Sequence, residues 1–408
     1  MLIKYEFLKI LRRKSTIIVM IVSLIVTAFL FGLPIIQYQT YNQEGVIKGF
    51  DGISYNKEQR KDISVLLTDE YIAQTVQEYQ QLCENPDNIG FDGTEKFLVG
   101  DSYWNFVAPR ESLLRIISNT YDPPNTTTGY NNKFPDLDMT NGANFYQTRN
   151  DKIEMLLDSR NMSDEQKDYW LKMNNAVDTP FQYGYYEGWE IIITSFELVM
   201  FALLAVCIVL APVFSGEYQA GTDSVILSSK YGKSKLITAK IVASLLFGLL
   251  AFTLHIVIAF GLPLIAFGFE GWNLPLQIAN TAIPYPYTFM QAALINLGVV
   301  YLILIAMIAL TLFLSAKMKS PYLVLTVIVP VLYIPMFLSP NGATGAYNLT
   351  LFLLPYNATS PEIGKYISYQ FGSLVIDVFS ARAALYVALT IIMLPLARLG
   401  FRKHQVSA

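Results

Sequence analysis

The run IIVMIVSLIVTAFLFGLPII, residues 17–36, decides the class of fold. It contains no charged residue, and at 1.5 Å rise per residue a helix of about twenty residues covers the ~30 Å hydrocarbon layer of a bilayer. A cleaved secretory leader has an apolar stretch of roughly 7–15 residues followed by a small-residue cleavage site. The 17–36 run is longer and no A-x-A site follows it, so it reads as a retained membrane anchor. Five more apolar runs follow, at 191–214, 237–267, 289–314, 321–338 and 378–396. The run at 321–338 is the shortest and is interrupted by Pro330 and Pro335. Proline is tolerated in a span where neighbouring helices satisfy the freed carbonyls. The expected fold is an all-α polytopic membrane protein with six transmembrane helices and a mostly helical extracellular domain between spans one and two.

Composition supports this reading. Hydrophobic residues make up 53% of the 408, charged residues only 15%, and mean hydropathy is +0.38. A soluble domain carries roughly 25% charge, so much of this surface must face something other than water. The charges are also sorted along the chain. Residues 37–190 hold 13 basic against 25 acidic side chains, and the remainder hold 16 against 7. An acidic soluble segment joined to basic membrane segments is a topological pattern, and it argues against nucleic acid as a partner. Cys83 falls in the soluble segment and Cys207 in an apolar run, so the pair does not form a disulfide framework.

Orientation follows from Lys and Arg in the short links. The N-terminus carries Lys4, Lys9, Arg12, Arg13 and Lys14. The next links on that side carry Lys230, Lys233, Lys235 and Lys240, then Lys317 and Lys319, then Arg398, Arg402 and Lys403. The opposite links, 268–288 and 339–377, contain only Lys365. Six spans with both termini in the cytoplasm of a bacterium satisfy this alternation. Residues 1–16 read as an interfacial helix, with Ile3, Phe7, Ile10 and Leu11 at helical spacing and Lys9, Arg12 and Arg13 available to anionic lipid. The organisation is then an interfacial helix at 1–16, a first span at 17–36 and an extracellular domain at 37–190. Five further helices occupy 191–398, with a cytoplasmic loop at 215–236, and a tail follows at 399–408.

Inside 37–190, Thr68 begins a helix whose apolar positions are Ile72, Val76, Tyr79 and Cys83, and Asn85-Pro86 stops it. Ser163 with Gln166 forms a capping box for a second helix bearing Trp170 and Leu171. Residues 121–142, rich in Asn, Pro, Gly and Thr, read as a long turn-forming connection. Tyr183, Tyr185, Tyr186 and Trp189 precede the second span and suit an interfacial aromatic belt.

The most informative segment is FSGEYQAGTDSVILSSK, residues 214–230, continuing to Lys240. It leaves an apolar run, carries Glu217 and then Gly221-Thr222, and ends in a basic amphipathic stretch. This resembles the first cytoplasmic loop of type-2 ABC transporter permeases, with Glu217, Gly221, Thr222, Leu227, Ser228, Lys230 and Lys240 at matching positions; Lys233 and Lys235 continue the basic stretch. The large domain after the first span is similar to the ABC-A-like subset. The resemblance implies a short coupling helix that docks on a separate ATPase subunit. It also implies two such ATPases, a second permease copy or a related permease, and ATP with Mg bound by the partner.

Chemistry within the chain itself is scarce. Gly232-Lys233-Ser234 looks like the tail of a P-loop, but Leu227 stands where the first glycine belongs and no strand precedes it. No cofactor, metal or catalytic constellation is expected, and the chain is not expected to be an enzyme. His404 lies in the charged tail. Glu197 and His255 lie within spans, where an ionisable group is by default a functional candidate, so both are candidates for an intramembrane pathway. Asp377 and Arg382 suggest an interfacial ion pair. The expected function is the membrane subunit of an exporter for a peptide, lipid or drug-like amphipathic substrate. The rival reading is a sensor or immunity receptor whose outer domain binds an antimicrobial peptide without moving it.

Overall fold

In lipid every backbone N–H and C=O must be satisfied internally, so apolar runs of this length fold as helices. The computed structural model describes residues 1–61, 63–92, 95–121 and 134–403. Five helical segments are long and apolar enough to cross a bilayer: Lys14–Ile36, Phe196–Gln219, Gly232–Phe267, Phe289–Lys317 and Val378–Arg402. The sixth expected span, Pro321–Phe337, has 17 residues and falls short of that length. Its last turn is a 3-10 helix, Ile334–Phe337, which follows Pro330 and contains Pro335. Two prolines remove the donors that would continue the α-helix.

The second span differs from the expected continuous run at 191–214. Helix Glu187–Thr194 is followed by a 3-10 turn at Phe196–Val199, then helices Met200–Leu210 and Pro212–Gln219. Pro212 divides the last two, and Ser315 from the neighbouring helix bridges the break. The Ser315 hydroxyl donates to the Ala211 carbonyl and accepts from the Phe214 and Ser215 amides. Residues 215–219 are therefore helix, not loop. The final helix runs to Arg402, so 399–402 are helix as well; His404 and the rest of the tail lie outside the described residues.

Residues 37–186 form a mostly helical domain at one end of the bundle. Thr68 accepts from the Tyr71 amide and caps helix Asp69–Leu82, and the Ser163–Gln166 capping box opens helix Asp164–Asn175. Strand Val65–Leu67 pairs antiparallel with Phe181–Tyr183, so the domain's beginning is tied to its end beside the bundle. Tyr79, Phe106, Phe134, Phe145, Trp170 and Phe181 fill the core. The turn-rich stretch expected at 121–142 lies largely outside the described residues. Cys83 and Cys207 are both unpaired.

The domain does not stand apart from the bundle, contrary to the boundary at 190. Links 268–288 and 360–377 are packed into it. Buried Arg149 donates to the carbonyls of Thr281 and Ile283. Tyr366 Oη donates to Ala282 O, and Trp170 Nε1 donates to Ser368 Oγ at 3.3 Å. The tyrosines before the second span join this packing and form no free belt. Tyr183, Tyr186 and Trp189 are buried, with Tyr186 Oη donating to Ile278 O and Trp189 Nε1 to Phe269 O. Their ring area is covered by protein because the 268–288 link folds over them.

Arg382 also departs from expectation. It is fully buried and donates to the carbonyls of Phe352, Asn357 and Ser360, which end the short helices Ala346–Leu353 and Pro355–Thr359. Asp377 instead caps the last helix by accepting from the Ser380 amide. The two make no ion pair with each other, because each finds backbone partners nearer at hand.

Candidate functional site: the buried glutamate and the short exposed helix

Glu217 sits at the end of the second span, where a carboxylate would be costly to bury alone. It is 6% exposed and meets three donors. Lys240 Nζ lies 2.7 Å and Lys9 Nζ 2.6 Å from Oε1, and the Thr222 hydroxyl donates to Oε2 at 2.6 Å. Lys240, 1% exposed, also reaches Glu6 Oε2 at 3.0 Å. Arg13 faces the same carboxylates: burial lowers its pKa, and Glu217 and Glu6 oppose that shift. One acidic side chain therefore joins the N-terminal helix Leu2–Leu11, the end of the second span and the start of helix Ile237–Phe267.

This geometry gives the Gly-Thr pair a physical meaning. Gly221 has φ +66°, a left-handed conformation that glycine adopts at no steric cost. The chain then turns back so that Thr222 bonds Glu217 through both its amide and its hydroxyl. Beyond the turn stands helix Asp223–Ser228, whose Asp223 and Leu227 are buried. Val225, Ser228, Lys230, Lys233 and Lys235 are exposed. The result is a short helix with a buried root and an exposed face at Val225 and Ser228, followed by the basic Lys230, Lys233 and Lys235 in the turn that leads away from it.

Gly232 has a structural role in place of the nucleotide-binding one its neighbours mimic. A Cβ there would lie 1.6 Å from the Ile226 carbonyl oxygen, so only glycine lets the chain pass so close to the short helix. The turn Gly232–Leu236 then leads directly into the Ile237–Phe267 helix. On the other side, Tyr218 Oη donates to Ala316 O and the Tyr218 ring stacks on Phe401. The short helix is thus held between two long spans, and a third and fourth are packed against its base.

The remaining candidates are scattered. On the N-terminal helix, Ile10 is buried and Phe7 meets Phe247. Lys9 reaches Glu217 while half its side chain stays exposed, Arg13 is half-buried, and Arg12 is exposed without turning to the carboxylate. The buried carboxylate thus draws Lys9 and Arg13 toward it. His255 is enclosed between helices, its Nδ1 2.8 Å from Ala251 O and its Nε2 3.0 Å from Ser23 Oγ. A carbonyl only accepts, so Nδ1 carries a proton and the ring pins two helices together. Glu197 is exposed on the 3-10 turn at the domain end, where burial and then the Glu197 charge raise the Tyr356 phenol. It lies apart from His255. Among the described residues, no group of three or more His, Cys, Asp or Glu is placed to hold a metal ion.

Sequence reading missed Ser315, Lys9's inward turn and Glu6. Only Lys240 carried a signal: a lysine inside an apolar run must find a carboxylate or reach water.

Residues 1–370 match the family model described as ABC-2 family transporter protein. The chain belongs to that family and is an ABC transporter permease, a multi-pass membrane protein whose kind works with ABC ATPase subunits. No curated protein and no solved structure gives a significant match.

Proposed function

We propose that this chain is the membrane half of an exporter moving a peptide, lipid or drug-like amphipathic substrate, driven by ATPases that grip the Asp223–Ser228 helix. The observation that carries the reading is the rooting of that helix: its base is fastened through Glu217 to three elements, while its outer face is exposed. A short helix gripped by a moving partner passes rigid-body rotation to the spans that hold it. Gly221, Thr222 and Glu217 set its angle; Lys230 and Lys233 present charge to the partner, and Val225 with Ser228 completes the contact.

In this reading six helices cross the plasma membrane of a bacterium, including the short Pro321–Phe337. Both termini are cytoplasmic and the 37–186 domain is extracellular, as in the ABC-A-like subset. Two ATPases, carrying ATP and Mg, serve two permeases, and the path opens between the paired bundles. The domain moves with the bundle because the links at 268–288 and 360–377 fasten it there.

The test uses the chain purified with its native partners and reconstituted in vesicles. An ATPase should co-purify, and amphipathic peptide should accumulate on one side only with ATP. Peptide binding without ATP-dependent movement would overturn export in favour of a receptor.

A further inference from the structure

A second feature of the basic end lies outside the Glu217 cluster. The first turn of the N-terminal helix, the start of helix Ile237–Phe267 and the end of helix Val378–Arg402 enclose an open groove of about 500 Å³. Leu2, Ile3, Thr238 and Ala239 form its floor and Lys235 and Arg398 its rim, with no acidic residue in the lining. Lys9 and Lys240 are neutralised by Glu217 and Glu6, but among the described residues neither Lys235 nor Arg398 has an ion pair. The Lys235 ammonium lies 4.8 Å over the Tyr231 ring, which orients it without cancelling its charge.

The groove opens onto apolar surface. From Thr238, helical spacing leads to exposed Leu246, Leu250, Leu254 and Val257, and back from Arg398 to exposed Ile391 and Val387. Two unneutralised cations at a helix end, continued by an exposed apolar strip on each helix, match a molecule with an anionic head and long hydrocarbon tails. We propose that this groove binds one anionic phospholipid, its phosphate between Lys235 and Arg398 and its chains along the two strips. Arg398 supplies paired N–H donors suited to a phosphate, and Lys235 supplies a point charge. Because Lys235 belongs to the turn leading out of the short Asp223–Ser228 helix, the lipid braces the spans that carry that helix.

The test exchanges the purified full-length complex into nanodiscs of equal phosphatidylglycerol and phosphatidylcholine and counts retained lipid by native mass spectrometry. The wild type should retain one phosphatidylglycerol in preference by about thirtyfold, the effect of two cations near an anionic headgroup. Lys235→Gln with Arg398→Gln should bring retention to parity. Lys319→Gln with Lys403→Gln makes the same charge change outside the groove and should leave the preference intact. Thr238→Trp fills the floor without changing charge and should also displace the lipid, which covers the case in which the double variant fails to insert. Equal loss in the control pair would reduce the effect to general surface charge and overturn the proposal. Full retention in both groove variants would overturn it too, and so would displacement by millimolar inorganic phosphate, which would mark a free-anion site. Burial of Lys235 by a bound ATPase in lipid-free detergent would assign the groove to a protein partner instead.

Discussion

At the end bearing the short Asp223–Ser228 helix, distant segments are joined by charge: two carboxylates, two ammonium groups and a threonine hydroxyl within about one side chain's reach. At the domain end most joints are neutral contacts or cations bonded to carbonyls, with Arg149 on Thr281 and Ile283, Arg382 on three carbonyls of two short helices, and Trp170 against Tyr285 and Tyr366, beside the solvent-exposed ion pair of Lys57 with Glu270. The contrast has a physical consequence. Aromatic and carbonyl contacts spread over a wide area have no single weak point. A buried ion cluster holds several elements through one atom pair, and removing either partner leaves an uncompensated charge. Under the proposed coupling, the domain end stays together and the short-helix end passes on displacement through a few charged joints.

Glu217→Ala should break this comparison most severely. It leaves Lys240 with Glu6 as its remaining carboxylate, and losing one partner of a buried pair costs up to about 3–5 kcal/mol. ATPase stimulation and transport should fall together while membrane insertion persists, and hydrogen exchange should rise in the 2–11 helix. Unchanged transport would remove the cluster from coupling.

Arg149→Met ranks next. Two carbonyls lose their buried donor, at about 1–3 kcal/mol. Faster proteolysis within 268–288 at unchanged ATPase affinity would mark that end as structural; a change in coupling alone would blur the distinction between the ends.

Glu190 sharpens the domain side through pH. Burial, then the neighbouring Glu187, raises its carboxyl above the usual range, with Arg115 and Arg60 opposing. A raised acid favours the folded state fully below the unfolded value of about 4.3 and loses that contribution as pH rises through the folded value. Glu190→Gln should therefore raise the unfolding temperature at neutral pH and leave it unchanged below about pH 4. The smallest effect belongs to Lys9→Gln. Its side chain is 48% exposed, so the pair with Glu217 is screened and worth under about 1 kcal/mol. The loss should shrink further in high salt.

Much of this was legible in the residues themselves. Apolar run length dictates helices where no water can pair the backbone, so five spans stand close to where periodicity and charge place them. Caps at Thr68 and Ser163 were readable because they act over three residues. So was the Glu217–Gly221–Thr222 turn, whose members lie five residues apart. Partners distant in the chain were not. Lys9 and Glu217 are separated by 208 positions, Arg149 and Thr281 by 132, and Ser315 and Phe214 by 101, and no local spacing encodes such meetings. The aromatic residues before the second span show the same limit: their composition suits a membrane edge, but a link from elsewhere in the chain covers them. Sequence alone determined which segments are apolar enough to form long membrane-type helices and where several of them are capped, because those depend on solvation and local backbone geometry. The tertiary structure decided which charges are buried together and which face stays open, because only packing of remote helices sets the dielectric and the partners each charge meets.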